Sequence, residues 1–369
     1  MLSRLLDKAI REDASDIHIV HGIKPSLRVK RELVELTDFE TVTVADAEKI
    51  VLELVNNDQR KIEMFKEKRK LDLSYRYNDI RCRVNISLSS DAPVVTIRLI
   101  KNTLPSFESL GLPDVINSLI LQPQGLILVT GKTNSGKSTT LNVMIDRINK
   151  TQKKKIITLE NPIEFMHKSD QSIIVQKEIG VVSDCRTFSE GVKNALREDA
   201  DILVCGEIRD KETMDAAIEM AESGHLVVGT LHTKSCAETI DRMINFYDIK
   251  DQSSIKHLLS AILKLVVSQR LLPDKEGKLV LVPEIMVVDN IVSGIIRKER
   301  ISVSEIEDAI QSNREKGSIG LINSLAELYV NDRITLELAK AQIEEKNVEI
   351  LNRTIMQLKS SGGNGARWR

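Results

Sequence analysis

The segment Gly131-Lys-Thr-Asn-Ser-Gly136-Lys137-Ser138 decides the fold of this chain. It follows the apolar run Leu126-Ile-Leu-Val-Thr130 and precedes Thr139 to Asn149, where the spacing is helical. A strand, a loop with two glycines and a helix, in this order, are the context in which such a segment binds phosphate. The glycines let the backbone turn tightly and approach a ligand, and the start of a helix offers amides and a partial positive charge. The segment therefore predicts a cradle for nucleotide phosphates.

Roles within this loop follow from the side chains. Lys137 is expected to reach the β- and γ-phosphates of ATP, and Ser138 to hold Mg²⁺. The predicted nucleotide contacts are Thr133, Asn134, Ser135, Gly136, Lys137, Ser138 and Thr139. The alternative, a glycine turn beside a surface lysine, explains neither the strand before the loop nor the helix after it.

Length and composition limit the classes of protein. A chain of 369 residues predicts two or three domains. A net charge of −1 and 3% aromatic residues argue against nucleic acid as a partner. The four cysteines lie far apart without a paired spacing, as is usual in a reducing cytoplasm.

The apolar segments do not predict a membrane span. Met1 to Lys8 has charges within its apolar register, which indicates an amphipathic helix rather than a secretory signal. The most apolar long segment, Leu258 to Leu272, is interrupted by charged and amide side chains. We therefore expect a cytoplasmic protein whose attachment to a membrane is at most peripheral.

The first hundred residues predict an α+β domain, assigned to residues 1–101. Helices are expected at 2–12 and 44–70, and strands at 16–21, 26–33, 71–77, 80–88 and 94–100. In the strand from Ile80 to Leu88, alternation places Arg81, Arg83, Asn85 and Ser87 on one face. Arg83, and Arg98 on the next strand, are either ordinary exposed arginines or ligands for a nucleotide held elsewhere in an assembly.

The pattern changes after a linker at 102–113, which is rich in proline, glycine and serine. Strands and helices then alternate, with strands expected at 126–130, 156–160, 201–206, 226–231 and 279–288. This alternation predicts an α/β fold with a mainly parallel sheet covered on both faces, assigned to 114–290. We expect residues 291–358 to be helical and residues 359–369 to form a disordered tail.

Two carboxylates follow predicted strands of this sheet. Glu164 comes shortly after the strand at 156–160, and Glu207 directly follows the strand at 201–206. Because parallel strands end in the crevice that also holds the phosphate loop, both carboxylates are candidates for activating water or organising a metal. Gly206 stands where an aspartate is frequent, so Mg²⁺ is expected to be held by Ser138, phosphates and water, with Glu207 reaching it through water.

Two histidines, His225 and His232, bracket the strand at 226–231. Their separation does not match a helical zinc motif. A lone histidine is more often structural than catalytic, but His232 lies at the carboxyl end of the strand, where the predicted site is.

Together these segments resemble the type II/type IV secretion ATPase superfamily and, within it, the pilus-retraction or twitching-motility ATPases. The segments that carry the resemblance are Ala14-Ser-Asp-Ile-His-Ile, Arg83-Val-Asn, Gly131 to Thr140, Thr158-Leu-Glu-Asn-Pro-Ile-Glu-Phe, Ala195-Leu-Arg-Glu-Asp, Gly206-Glu-Ile-Arg-Asp and Gly224-His to Leu231-His-Thr.

The resemblance implies a homo-hexameric ring of subunits, each with a PAS-like N-terminal domain and a RecA-like P-loop motor domain that hydrolyses ATP. It implies Glu164 as the general base, Glu207 as the Walker B glutamate, and His225 and His232 as the His box. Arg83 and Arg98 fall where the N-terminal domain supplies arginines to the phosphates. The implied partner is the inner-membrane platform protein of a pilus, at the inner face of the cytoplasmic membrane.

Three departures from the family pattern keep alternatives open. Asn161 and Asn134 replace a usual aspartate and a usual glycine, and Ile291 to Lys298 keeps only Arg297 of two arginines in a retraction segment. A tetracysteine module, usual in extension and type II relatives, does not follow Leu272, which favours a retraction motor. A compact pilus-assembly or competence-type ATPase, a non-hydrolysing nucleotide-dependent scaffold and a nucleic-acid-stimulated motor remain as rival hypotheses.

Overall fold

A computed structural model describes residues 1–30, 32–78, 80–100, 103–180 and 183–360. Two compact units make up the structure. The first holds Met1–Thr103 together with Glu160–His167 and Glu178–Arg186. The second holds Leu104–Leu159, Lys168–Lys177 and the chain from Thr187 onward. The domain boundaries expected from the sequence stay a prediction.

The first unit is built on an antiparallel sheet. Its strands are β1 (Asp16–Val20), β2 (Ser26–Val29), β3 (Glu32–Glu35), β4 (Leu71–Tyr77), β5 (Ile80–Ser89) and β6 (Ala92–Ile100), and its helices are α1 (Leu2–Arg11), α2 (Val44–Leu54) and α3 (Gln59–Lys68). The strand order is β3-β2-β1-β6-β5-β4. Because side chains alternate along β5, Cys82, Val84 and Ile86 are buried in one core with the apolar faces of α1 and α2.

Two expectations for this unit were wrong in detail. The strand expected at 26–33 is two strands, β2 and β3, because Lys30 adopts a left-handed backbone with φ of 48°. The helix expected at 44–70 is two helices, because Asn56 and Asn57 both have φ of 52° and end α2. Asparagine tolerates this conformation better than most residues, so the break is local in origin.

The second unit contains a seven-stranded sheet in the order β13-β12-β7-β11-β10-β8-β9. The strands are β7 (Gly125–Thr130), β8 (Lys155–Glu160), β9 (Ile173–Glu178), β10 (Ile202–Cys205), β11 (Leu226–Leu231), β12 (Leu263–Pro273) and β13 (Leu279–Val287). The helices are α4 (Asp114–Ile120), α5 (Lys137–Thr151), α6 (Phe188–Ala195), α7 (Lys211–Glu222), α8 (Cys236–Ile244), α9 (Ile249–Ile262), α10 (Asn290–Ile296), α11 (Val303–Ser312), α12 (Leu321–Val330), α13 (Leu336–Lys340) and α14 (Val348–Ser360).

The centre of this sheet is parallel. Strand β7 pairs in parallel with β11 and β12, and β10 pairs in parallel with β11 and β8, while β13 is antiparallel to β12. Every residue of β7, β10 and β11 is buried, as expected for strands with helices on both faces. The predicted α/β class is confirmed, and the carboxyl ends of β7, β8, β10 and β11 lie along one edge.

Strands β9 and β12 were not expected. The apolar run that includes Leu258 to Leu272 divides between α9 and β12, with the helix ending at Ile262 and the strand beginning at Leu263. Apolar periodicity does not separate a buried helix from a buried strand, which explains why the boundary was missed.

The chain beyond β13 is helical through Ser360, as expected. Helices α12 and α14 form a separate core with β13, in which Val282, Leu325 and Leu351 are buried. Lys359 and Ser360, placed in the expected tail, belong to α14, and 361–369 lie outside the described residues. Across the described ranges, none of the helices combines the length and the apolar character that crossing a bilayer requires.

Candidate nucleotide site

The phosphate loop connects β7 to α5 and depends on its first glycine. Gly131 has φ of +144°, in a region that favours glycine. A Cβ atom there would lie 2.4 Å from Ser135 Oγ and 2.5 Å from the backbone oxygen of Gln269. The loop therefore closes tightly only because position 131 has no side chain. Gly136, with φ of +87°, makes the final turn into α5.

Side chains of the loop hold this shape. The buried Lys137 amine donates to the backbone oxygens of Gly131 at 2.8 Å and Lys132 at 2.9 Å. Asn134, where the family usually has glycine, adopts φ of 63°, as an asparagine can. The cradle is therefore formed with this replacement in place.

The residues present fit a phosphate ligand with its metal. The N-terminus of α5 follows the loop, and Ser138 lies in the first turn of that helix, where a hydroxyl can serve Mg²⁺ as a hard oxygen ligand. Ser135 Oγ is buried and has no hydrogen-bond partner among the described residues. In the same ranges, no group of three or more His, Cys, Asp or Glu side chains could hold a metal ion. The Ser138 hydroxyl is therefore the ligand for Mg²⁺ that this part of the protein offers.

Two clefts border the phosphate loop within the second unit. One, of about 430 Å³, is lined by Thr133 to Ser135 and by three cationic side chains, Lys132, Lys234 and Arg270. The other, of about 290 Å³, has a largely apolar lining that includes Leu110, Leu271 and Leu281, together with Gly136 and Thr139. The loop therefore lies between a cationic cleft and an apolar one.

The structure brings Glu207 and His232 together at the carboxyl edge of the sheet. His232 Nε2 lies 3.0 Å from Glu207 Oε1, and Arg209 Nε lies 2.6 Å from the same oxygen. The Glu207 side chain is 17% exposed and that of His232 is 45% exposed. The predicted position of this pair at neighbouring strand ends is therefore observed.

The backbone around Glu207 is fixed by β11. Thr230 Oγ1 donates to the Gly206 oxygen at 2.5 Å, and the Ile208 amide donates to the Thr230 oxygen at 2.9 Å. Both neighbours of Glu207 are therefore bonded to one residue of the adjacent strand. This arrangement holds the carboxylate beside His232.

His225 is placed elsewhere. It precedes β11, and its Nδ1 lies 3.0 Å from Ser223 Oγ and 3.2 Å from the Met220 oxygen. A six-residue strand separates it from His232, a length of about 20 Å at the usual rise per residue. The two histidines occupy opposite ends of β11, so His225 does not lie beside the His232–Glu207 pair within the second unit. The catalytic role of His225 stays a prediction.

Glu164 belongs to a segment of the first unit, and its side chain is exposed. In the same unit Arg81 forms an ion pair with Glu178, and its Nη1 lies 3.6 Å from Met166 Sδ. These contacts join β5 to the segment that carries Glu164. The role of Glu164 as general base stays a prediction.

Arg83 and Arg98 are direct neighbours on the polar face of the first unit's sheet. Arg83 pairs with Arg98 across β5 and β6, and Asp16 on β1 pairs with both Arg98 and Arg28. Arg98 Nε donates to Asp16 Oδ1 at 2.8 Å. Burial raises the pKa of Asp16, but hydrogen bonds from Ser15 and Arg98 outweigh it and hold that pKa below its usual value. One row of the sheet thus carries three arginines and one carboxylate.

Gln269 on β12 was not predicted as a site residue. It is 1% exposed, and its Nε2 donates at 2.8 Å to Thr140 Oγ1 on α5. Its backbone oxygen is the atom that a side chain at position 131 would meet. The residue was missed because β12 itself was not expected.

Comparisons with known proteins agree with this geometry. A family model described as "Type II/IV secretion system protein" matches residues 1–281. The chain is 35% identical over 347 residues to the type IV pilus retraction ATPase PilT of Pseudomonas aeruginosa, covering 93% of this chain and 99% of that one. It is 34% identical over 346 residues to a twitching motility protein of Neisseria gonorrhoeae, covering 93% and 90%.

Solved structures give the same result. The structure is similar to a crystal structure of the pilus retraction motor PilT with bound ADP, at a TM-score of 0.85, 34% identity and coverage of 95% of this chain and 99% of that one. It is also similar to the ATPase DotB of Legionella pneumophila, at a TM-score of 0.81, 27% identity and coverage of 92% and 94%. The family expected from the signature segments is confirmed: the chain belongs to the type II/IV secretion system protein family, whose members include nucleotide-binding motor ATPases.

Proposed function

We propose that this protein is an ATP-hydrolysing motor that powers the retraction of a type IV pilus. The observation that carries the proposal is the contact between Glu207 and His232 at the sheet edge where β7 enters the phosphate loop. A phosphate cradle alone accounts for binding, whereas a positioned carboxylate and imidazole beside it provide for cleavage. The similar PilT proteins are named as a pilus retraction ATPase and a pilus retraction motor.

Nucleotide binding is assigned to the loop and its two clefts. The triphosphate lies against the loop from Thr133 to Thr139, toward the cationic cleft, and the base enters the apolar cleft. The Lys137 amine exchanges loop carbonyls for the β- and γ-phosphates. Ser138 would hold Mg²⁺, which supplies positive charge to the phosphates when bound.

Hydrolysis requires one water molecule to lose a proton as its oxygen bonds to the γ-phosphorus. The Glu164 carboxylate accepts that proton, the bond to the β,γ-bridging oxygen breaks, and ADP and inorganic phosphate result. Negative charge that develops at the γ-phosphate is stabilised by His232, and Glu207 would organise bound Mg²⁺ through water. Arg83 and Arg98 add positive charge from the first unit's sheet, in the same subunit or a neighbouring one.

The proposal also covers the assembly of subunits and the domains within each subunit. A homo-hexamer passes each hydrolysis event around a ring, with a PAS-like domain at 1–101, a joint at 102–113, a RecA-like domain at 114–290 and a helical part at 291–358. The joint converts hydrolysis into displacement of an inner-membrane platform protein of the pilus. The protein acts in the cytoplasm at the inner face of the cytoplasmic membrane, without nucleic acid.

Phosphate release from the purified protein tests the enzymatic part. We expect turnover in the wild type, loss of nucleotide binding in Lys137→Ala, and retained binding with at least about a 100-fold loss of kcat in Glu164→Gln. A wild type that binds ATP without releasing phosphate would establish the scaffold instead. Normal turnover in Glu164→Gln would remove that residue from its role, and stimulation by single-stranded DNA would favour a nucleic-acid motor.

Deleting the gene tests the direction of drive. A retraction motor predicts excess surface filaments that cannot shorten, because assembly continues without reversal. Loss of filaments would instead establish the assembly ATPase that the sequence leaves as the runner-up. Complementation with Glu164→Gln should fail to restore shortening, whereas the wild-type gene should restore it.

A further inference from the structure

A buried chain of threonine hydroxyls links the phosphate loop to the loop that carries His232. Thr239 Oγ1 on α8 lies 2.6 Å from Thr233 Oγ1 and 3.4 Å from Thr130 Oγ1. The exposed fractions are 0% for Thr130, 0% for Thr239 and 4% for Thr233. Three hydroxyls therefore meet out of reach of solvent.

Thr239 is the central member of the three hydroxyls, because it contacts both of the others and each hydroxyl has only one hydrogen to donate. Each hydroxyl has one hydrogen, and the Ser235 backbone oxygen lies 2.7 Å from Thr239 Oγ1. When Thr239 donates to that oxygen, its own oxygen accepts from Thr233, and the longer contact of 3.4 Å is a hydrogen bond only with Thr130 as the donor. Loss of the Thr239 hydroxyl therefore leaves the buried Thr233 hydroxyl without this partner. A buried polar network rigidifies its members when it is complete and is costly when it is broken.

The two ends of the chain adjoin groups of the proposed reaction. Thr130 is the last residue of β7 and directly precedes Gly131. Thr233 directly follows His232, whose imidazole contacts Glu207. The backbone already joins these two places, because the Gly131 amide donates to the Leu231 oxygen at 3.3 Å. Thr239 adds a connection through side chains, which reaches the residue on the other side of His232.

The helix that carries Thr239 is itself held firmly. Ser235 Oγ accepts from the Glu238 amide at 3.1 Å and caps α8. The Cys236 amide donates at 3.1 Å to Glu284 Oε1 on β13. Thr239 therefore projects from a fixed support toward two loops.

We infer that Thr239 is a positioning residue that keeps His232 in register with Glu207 relative to the phosphate loop. It does not touch the reacting groups and acts through Thr233 and the backbone of His232. The inference rests on the proposed ATPase function. Loss of the Thr239 hydroxyl should reduce the rate of the chemical step more than it weakens nucleotide binding. Misplacement of a catalytic group by about 1 Å can cost about 100-fold in rate.

The first experiment compares three variants of the full chain by steady-state ATP turnover. Thr239→Val keeps the shape and removes the hydroxyl, and we expect kcat to fall by about 10-fold to 100-fold with KM changed less than about threefold. Thr239→Ser keeps the hydroxyl and should restore at least half of the turnover. Thr354→Val removes a hydroxyl that, like that of Thr239, donates to the carbonyl four residues earlier in its helix, but lies in α14 at an exposed bond, and should leave kcat unchanged.

A double-mutant cycle with His232→Gln separates positioning from general packing. If Thr239 acts through His232, adding Thr239→Val to His232→Gln lowers kcat no further. Multiplicative losses would overturn the inference, as would full turnover in Thr239→Val. If Thr239→Val does not fold, Thr233→Val breaks the same chain from the other side and must show the same kcat loss and the same lack of additivity. A wild type without turnover would instead defeat the proposed function, which distinguishes the two failures.

Discussion

His232 Nε2 lies 3.0 Å from Glu207 Oε1, and each residue follows the end of a different parallel strand. The contact exists because β10 and β11 are adjacent and in register, with Cys205 opposite Gly229. Neither residue is near the other along the chain. The sheet therefore creates this pair, and its chemistry can be tested from either side.

Replacing Glu207 by glutamine should preserve nucleotide binding and lower kcat by about 100-fold, because the side chain keeps its shape and loses the charge that orients His232. Phosphate release and binding of a fluorescent ATP analogue measure the two effects separately. Glu222→Gln, at the exposed end of α7, is the matched control and should behave as the wild type. Unchanged kcat in Glu207→Gln would show that the pair is only structural.

Replacing Gly131 by alanine should weaken nucleotide binding by at least about 10-fold, because the added Cβ would meet Ser135 Oγ and the Gln269 oxygen while φ is positive. Equilibrium titration with ATP checks this expectation. Gly277→Ala is the matched control, since Gly277 also has positive φ, of +79°, but no atom within 4 Å of the added Cβ. Equal affinities in the two variants would contradict a steric requirement at the loop.

Replacing Asp16 by asparagine should destabilise the first unit by about 1–3 kcal/mol, because a buried carboxylate that pairs with Arg98 is removed from a row of three arginines. The pKa of Asp16 is lowered in the folded chain, so its stabilisation is present above the usual pKa of an aspartate and is lost as the pH falls through the folded value. Urea unfolding of both proteins should therefore converge at acidic pH. Asp72→Asn, at an exposed position of β4, should change stability far less.

Replacing Glu284 by glutamine should make unfolding less dependent on pH. Burial raises the pKa of Glu284 to about 7, opposed by the Cys236 amide and Arg270 and assisted by Glu307. The folded chain then binds a proton that the unfolded chain has released, so stability falls as the pH rises from about 4.5 to 7, by about 3 kcal/mol in total. Urea unfolding between pH 5 and 8 measures this loss of stability. Parallel stability curves for the wild type and Glu284→Gln would contradict the assignment.

The arginine row of the first unit was foreseen only in part. Alternation along β5 correctly placed Arg83 opposite the buried Cys82 and Val84. It gave no means of finding Asp16 or Arg28, because their position in the same row depends on which strands pair and in which register. Strand pairing is a long-range property, and local periodicity does not contain it.

The chain's own sequence determined the phosphate loop, the parallel strands around it and the family, since glycine geometry, apolar runs and helix starts act over a few neighbouring residues. Only the tertiary structure decided that His232 meets Glu207 while His225 does not, that β12 brings Gln269 to the loop, and that Thr130, Thr233 and Thr239 share one buried contact. Those outcomes depend on strand order and helix packing. They bring together residues whose separation along the chain leaves no local pattern to read.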